Sequence, residues 1–152
     1  MIRTHAIVPP SVKVLGNYLE LFKIHLCLYI SLSAVFGSVM TDSKISWDSV
    51  VLGGLVLLLA CGSAILNNIQ DRKFDTYFSR TQNRCLPQKR VPIQHAVFMA
   101  FLLMIVGLPG LFIQFGTSSA ALGLAVVISY NGLYTPLKKK VLQRFFPEAS
   151  AV

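Results

Sequence analysis

Four long apolar runs separated by short polar stretches dominate the chain: about Tyr18 to Met40, Trp47 to Ile69, Val91 to Phe115 and Ser118 to Leu137. A helix needs about 20 residues to cross the hydrocarbon core of a bilayer, and each run reaches roughly that length. Strands are far shorter. The pattern predicts an all-α fold, a polytopic membrane helix bundle with four transmembrane helices. It divides the chain into an N-terminal tail over 1–17, a transmembrane domain over 18–137 with a polar loop at 70–90, and a basic C-terminal tail over 138–152. The first run follows a basic start, as the core of a signal peptide does. Three more runs follow it and no convincing cleavage site is present, so it reads as a retained helix. Gly53, Gly54 and Gly62 suit close approach of helices. Gly107-Leu108-Pro109-Gly110 is expected to kink or loosen the third span. Phe145-Phe146-Pro147 reads as the start of a further membrane-surface element.

Charge adds an orientation. Arg3 and Lys13 precede the first run, and the next loop carries Lys44 beside Asp42 and Asp48. The following loop carries Arg72, Lys73, Arg80, Arg84, Lys89 and Arg90. The turn at Gly116-Thr117-Ser118 carries no charge, and the tail has Lys138, Lys139, Lys140 and Arg144. Basic and charge-poor ends alternate without exception, which predicts both termini and the 70–90 loop on the cytoplasmic side. A basic loop also attracts anionic membrane lipid.

Composition agrees. Hydrophobic residues make up 54% of the chain and charged residues 13%, against about 25% charged in soluble domains. Mean hydropathy is +0.62. These values exclude an ordinary soluble domain and exclude disorder. The net charge of +8 does not indicate nucleic acid as a partner, because the basic residues sit in loops between apolar runs rather than on one soluble face. Cys27, Cys61 and Cys85 are odd in number and form no CxxC pair, so they read as reduced packing residues. His5, His25 and His95 have no mutual metal-ligand spacing. HExxH, GxSxG and P-loop motifs are absent from the sequence.

The informative stretch leaves the second run: Asn67-Asn68-Ile69-Gln70-Asp71-Arg72-Lys73-Phe74-Asp75. Asn67, Asp71 and Asp75 fall at i, i+4 and i+8, which on a helix lines three oxygen-bearing side chains along one face, about 6 Å apart per step. Two like charges one turn apart repel, and more so as they leave water. A divalent cation reverses that cost. Hard cations such as Mg²⁺ take carboxylate and amide oxygens and share their ligand shell with substrate phosphates. The basic segment Arg80-Thr81-Gln82-Asn83-Arg84 follows, and arginine forks match phosphate oxygens. Carboxylates, metal and arginines at a membrane surface suit a lipid diphosphate. Three plainer readings stand beside this one. The aspartates pair with Arg72, Lys73 and Arg80 as a solvated interfacial network; the arginines only satisfy the positive-inside bias; Asn67 is a helix-packing amide.

Asn67-x-x-x-Asp71-x-x-x-Asp75, followed by Arg80-Thr81-x-Asn83-Arg84-x-Leu86-Pro87, resembles the first aspartate-rich motif of the UbiA superfamily of intramembrane prenyltransferases. The RTxNR segment is most similar to the branch whose acceptor is haem b. Leu19-Glu20-Leu21-Phe22-Lys23 and Tyr134-Thr135-Pro136-Leu137-Lys138 are similar to further stretches of that family. The resemblance implies Mg²⁺-dependent transfer of a prenyl group from a prenyl diphosphate to an acceptor, most of all farnesyl to the vinyl group of haem b. It implies that Asn67, Asp71 and Asp75 hold Mg²⁺, with Asp71 and Asp75 catalytic. It further implies that Lys23, Arg80, Arg84, Tyr134 and Lys138 contact the diphosphate. Phe22, Tyr29, Phe74 and Tyr134 offer aromatic faces to a developing carbocation. Cys85 stands where the family usually has proline, and Lys89 where it usually has glycine.

The resemblance covers about the first half of the family's fold, and the family's second aspartate motif has no counterpart in these 152 residues. Two kinds of partner follow: a separately encoded second half, or a second copy in a homodimer. The chain alone is expected to have little or no transferase activity. The alternative to an enzyme is a catalytically inactive truncated membrane protein, or a module that binds prenyl diphosphate or haem. The absence of an Arg/Ser-rich transit peptide favours a bacterial inner membrane over a mitochondrion.

Overall fold

The computed structural model describes residues 10–145 as helices and connecting turns: α1 (Pro10–Phe22), α2 (Ile24–Asp42), α3 (Trp47–Asp75), α4 (Ile93–Ile128), a π-helical segment Ser129–Tyr134 and α5 (Thr135–Phe145). Among the described residues three helical stretches are long and apolar enough to cross a membrane: Ile24–Asp42, Trp47–Asp75 and Ile93–Val141. The helix-bundle expectation holds. The last of these stretches is broken inside by the non-helical Gly116, between the expected third and fourth spans.

Several boundaries differ from the sequence reading. The first run does not start a helix at Tyr18: α1 already runs from Pro10, and Lys23 in the left-handed conformation (φ 49°, ψ 46°) separates it from α2. Part of the expected N-terminal tail is therefore helical, as is the start of the basic C-terminal tail, where α5 runs to Phe145. The second run extends past Ile69 to Asp75, so the whole aspartate motif stays on α3 and the loop is 76–92. At its other end the Ser46 side chain caps α3 by accepting from Ser49 N at 3.2 Å. Asp48 in the first turn and Arg72 and Lys73 in the last complement the helix dipole. Arg3, His5 and the element expected from Phe145-Phe146-Pro147 lie outside the described residues.

The packing order is set by α3. Ser31 donates to Gly53 O at 2.7 Å and the Ser38 and Ser49 hydroxyls meet at 3.0 Å, so α2 runs antiparallel to α3. A Cβ on Gly62 would lie 3.1 Å from Ala100 O, and one on Gly107 would lie 3.1 Å from Leu59 N and 3.2 Å from Leu55 O. Numbers rise on α4 as they fall on α3, so this limb is antiparallel too. Beyond Gly116 the order inverts. Asn131 pairs with Ser63, Thr135 with Asn67 and Lys138 with Asp71, so this limb runs parallel to α3. The chain therefore doubles back at Gly116, and a Cβ on Gly123 would lie 3.2 Å from Leu111 Cδ1.

Gly116 carries the reversal with φ 80° and ψ −178°, a backbone region open essentially to glycine alone. Gly116→Ala is expected to lower stability by about 1–3 kcal/mol, read as an earlier thermal unfolding midpoint in detergent. A midpoint unchanged from wild type would show that the reversal does not depend on glycine. The backbone keeps helical φ/ψ through Gly107–Gly110, and Gly116 is the non-helical residue inside α4. The glycines at 62 and 107 serve close approach instead. At Gly54, by contrast, an added Cβ meets open space, so that glycine makes no close helix contact.

Candidate functional site

The last two turns of α3 carry four buried polar side chains, Asn67, Asn68, Asp71 and Asp75. Cations from distant parts of the chain meet them. Lys138 Nζ donates to Asp71 Oδ2 at 2.6 Å, from a residue 67 positions later. The Arg84 guanidinium donates to Asp75 Oδ2 at 3.0 Å. Lys23 Nζ, placed by the left-handed break between α1 and α2, donates to Asn67 Oδ1 at 2.6 Å. Asn67 Nδ2 donates to Thr135 Oγ1 at 3.0 Å, and the fully buried Thr135 hydroxyl donates to Tyr130 O at 2.8 Å. With its hydroxyl proton committed to Tyr130, Thr135 can only accept from Asn67. Both ends of the Asn67 amide are thus oriented. The π-helical segment makes this possible: the Thr135 N–H also reaches the Tyr130 carbonyl, five residues back, which widens the turn beside α3.

The loop is built onto the same end. The Thr81 hydroxyl donates to Asp75 O at 3.0 Å, and Arg90 donates to Asn17 Oδ1 at 3.2 Å and to Asn83 O. Cys85, Leu86 and Val91 bury against Leu21 and Ile65. Lys89 sits at φ 55°, a conformation that favours glycine.

Three cations (Lys23, Arg84, Lys138) surround two carboxylates (Asp71, Asp75), a surplus of one positive charge. Burial, and then the nearby Arg84 guanidinium, hold the Lys23 amine below the ordinary lysine value. An anion that depends on the protonated amine should therefore lose affinity as pH rises, with a midpoint below that of a free lysine. Inorganic pyrophosphate binding measured across alkaline pH tests this. Lys23→Arg should move the midpoint upward; a profile identical in the two proteins would remove Lys23 from the site.

Two buried oxygens in the cluster, Asp71 Oδ1 and Asn68 Oδ1, have no hydrogen-bond partner. Among the described residues no three His, Cys, Asp or Glu side chains cluster as a metal site. The oxygen donors are two carboxylates with neighbouring amides, a set that fits a cation sharing its shell with phosphate oxygens. The free Asp71 Oδ1 is consistent with such a cation.

Two cavities adjoin the cluster. An apolar one of about 390 Å³ lies between α2, α3 and the returning limb of α4. Its near end is walled by Cys27, Ser63 and Tyr130, about one turn inward from Lys23, Asn67 and Thr135, and its far end by Val56, Leu111 and Ser119. That volume is within the usual range for small-molecule pockets. A polar chamber of about 200 Å³ lies on the α1 side, lined by Glu20, Lys23, Asn68, Asp75 and Arg84 among others.

The profile of the UbiA prenyltransferase family matches residues 29–149. The chain belongs to this family. It is 36% identical over 126 residues to a protein named protoheme IX farnesyltransferase from Hahella chejuensis, covering 82% of this chain and 42% of that one. It is 34% identical over 128 residues to protoheme IX farnesyltransferase 1 of Pseudomonas putida, again covering 82% and 42%. The protoheme IX farnesyltransferase of Oleidesulfovibrio alaskensis is 31% identical over 120 residues, with 79% and 43% covered. The chain thus spans about two-fifths of the length of these curated relatives. No solved structure matches it. Family membership and the apolar helices together make it an integral membrane protein.

Of the family-type residues singled out in the sequence, the fold brings Lys23, Asn67, Asp71, Asp75, Arg84 and Lys138 together. Arg80 is exposed and makes no hydrogen bond or ion pair with the described residues. Tyr134 is exposed and stacks on Tyr130 with ring centroids 5.7 Å apart. Phe74 lies under the Lys139 ammonium, 5.5 Å from its ring centre, and Tyr29 points outward with 68% exposure. His25 and His95 are exposed. Arg72 and Lys73 are exposed as well, and the aspartates pair with Arg84 and Lys138 instead, so a local network with 72, 73 and 80 is not the arrangement found. Sequence reasoning missed Asn68, Tyr130 and Thr135. One signal was available: Asn131, Thr135 and Lys138 form a polar stripe at i, i+4 and i+7 leaving an apolar run, and polar stripes in membrane helices mark functional faces.

Proposed function

We propose that this chain supplies the prenyl diphosphate site of a prenyltransferase whose donor is farnesyl diphosphate and whose acceptor is haem b. The observation that carries the reading is the junction of a cation–carboxylate cluster with an apolar cavity about one helical turn away. A diphosphate with an isoprenoid tail has that same division of chemistry. The names of the curated relatives supply the donor and acceptor.

In this reading Lys23, Arg84 and Lys138 bind phosphate oxygens, and Asp71 and Asp75 hold a divalent cation, with Asn67 steadying Lys23. Mg²⁺ held there would supply Lewis-acid neutralisation of the leaving diphosphate. The residual positive charge of the cluster is smaller than the charge of a diphosphate, so the cation completes the balance. The C–O bond breaks with its electron pair leaving on the diphosphate. The acceptor's vinyl π pair forms the new C–C bond to the prenyl carbon, and the positive charge left on the other vinyl carbon is quenched by a water that adds there and gives its proton to solvent. Tyr130, on the cavity wall, presents an aromatic ring on the path of that charge. Arg80 and Tyr134 are assigned to the edge of the site, engaging phosphate once it is bound. The basic end of the bundle faces the cytoplasm, in a bacterial inner membrane.

The test uses the 152-residue chain in lipid nanodiscs with Mg²⁺, labelled farnesyl diphosphate and haem b. Alone it is expected to bind the diphosphate saturably and to turn over little or not at all. Removing part of a unit that acts together removes most of its activity. Co-assembly with the complementary C-terminal region of a curated relative should restore product. A homodimer is the less favoured route, because two identical first motifs would have to face each other from subunits of the same topology. Absence of saturable binding would refute the proposal.

A further inference from the structure

The polar chamber on the α1 side holds three oxygen-bearing side chains: Glu20 from α1, and Asn68 and Asp75 from one face of α3. Asn68 is the telling member. It is 7% exposed, and its Nδ2 donates to Leu21 O at 2.9 Å. That bond orients the amide and leaves Oδ1 as the unspent atom, buried and without a partner. A buried acceptor left unpaired costs about 1–3 kcal/mol. Of the chamber's donors, Lys23 bonds Asn67 and Arg84 bonds Asp75, and neither bonds Asn68 Oδ1. A phosphate oxygen is itself an acceptor and cannot satisfy a second acceptor. A cation or a water can, and beside the Asp75 and Glu20 carboxylates a divalent cation answers all three oxygen-bearing side chains at once.

We infer that Asn68 Oδ1 is a ligand for the divalent cation, directly or through one bound water, in the chamber it shares with Asp75 and Glu20. Asn67 is then a positioning residue: its Oδ1 is taken by Lys23 and its Nδ2 by Thr135. This assignment rests on the diphosphate reading above, which brings the cation into the site. It moves the amide ligand by one position and adds a carboxylate from α1 that the aspartate motif does not contain.

Mn²⁺ replaces Mg²⁺ as a probe visible to electron paramagnetic resonance, titrated into the chain in nanodiscs with inorganic pyrophosphate. Asn68→Leu should weaken Mn²⁺ binding about tenfold or more, while Asn68→Asp should keep or tighten it. Both substitutions abolish the bond to Leu21 O, so a merely structural role predicts equal loss in the two. Glu20→Gln, at an exposed position, should weaken binding several-fold and decides the matter if Asn68→Leu fails to fold. Equal loss in both Asn68 variants, or no change in Asn68→Leu or Glu20→Gln, overturns the inference. If Asp71→Ala still abolishes Mn²⁺ binding in that case, the diphosphate reading stands. Wild-type chain without saturable Mn²⁺ binding would overturn both.

Discussion

Asp71→Ala is expected to abolish saturable binding of farnesyl diphosphate in the presence of Mg²⁺, a loss of about 100-fold or more. The Asp71 side chain is 3% exposed and does two things at once. Its Oδ2 holds Lys138 Nζ at 2.6 Å and faces Asn67 Nδ2 at 3.4 Å, while its Oδ1 is free. Alanine removes the free oxygen and releases a lysine that otherwise stands at the cluster. Removing one member of a buried ion pair costs about 3–5 kcal/mol. The Lys138 side chain is 37% exposed and can turn to water, which places the stability loss at or below the low end of that range. Asp71→Asn keeps the shape and removes the charge, so it separates the two effects: binding should still fall by about tenfold or more while folding changes little. The double variant Asp71→Ala with Lys138→Met should lose less stability than the sum of the singles, because contacting pairs couple by about 0.5–3 kcal/mol. Isothermal titration in nanodiscs and thermal melts in detergent give the two readouts. Strict additivity together with unchanged affinity would remove the pair from the site.

Gly107→Leu is expected to be the most damaging change to the fold. A Cβ at 107 would lie 3.1 Å from Leu59 N and 3.2 Å from Leu55 O. Both are backbone atoms of α3 and cannot swing aside as the end of a side chain can. A branched side chain there drives the first limb of α4 off α3 along their contact, and overpacking costs about 1–3 kcal/mol, occasionally more. The returning limb packs on both, since a Cβ on Gly123 would touch Leu59 and Leu111. Displacement at Gly107 therefore propagates to the limb that carries Tyr130, Thr135 and Lys138. Gly54→Leu is the matched control. An added Cβ there meets nothing within 4 Å, and changes at such sites stay within about 0.5 kcal/mol. Unfolding midpoints of the two variants should separate clearly. Equal midpoints would show that close contact between α3 and α4 does not limit stability.

How much of this was legible beforehand depends on the range over which each interaction acts. The apolar runs and their helical character are local properties, set within a few turns, and they appear in the fold as expected. So does the alignment of Asn67, Asp71 and Asp75, because a helix fixes the spacing of side chains four residues apart. Boundaries were less legible. No local pattern announces that Lys23 will adopt a left-handed conformation, and a Gly-Leu-Pro-Gly string carries the same breaking signal whether the helix kinks there or packs closely through it. Pairing was not legible at all. Nothing near Asp71 in the sequence distinguishes Lys138 from Arg72 or Lys73 as its partner.

The amino-acid sequence by itself determined that this protein lies in a membrane as a bundle of helices, that an oxygen-rich face ends one of them, and which family's motif that face resembles. All three depend on composition and on periodicity within single elements. The tertiary structure alone decided which cation meets which carboxylate, that an apolar cavity adjoins them, and that the Asn68 and Asp71 oxygens are left unspent. These follow from the reversal at Gly116, which lays the last limb parallel to α3 and brings residues 67 and 68 positions apart into hydrogen-bond contact. Such register is a property of two packed helices together, and neither segment encodes it alone.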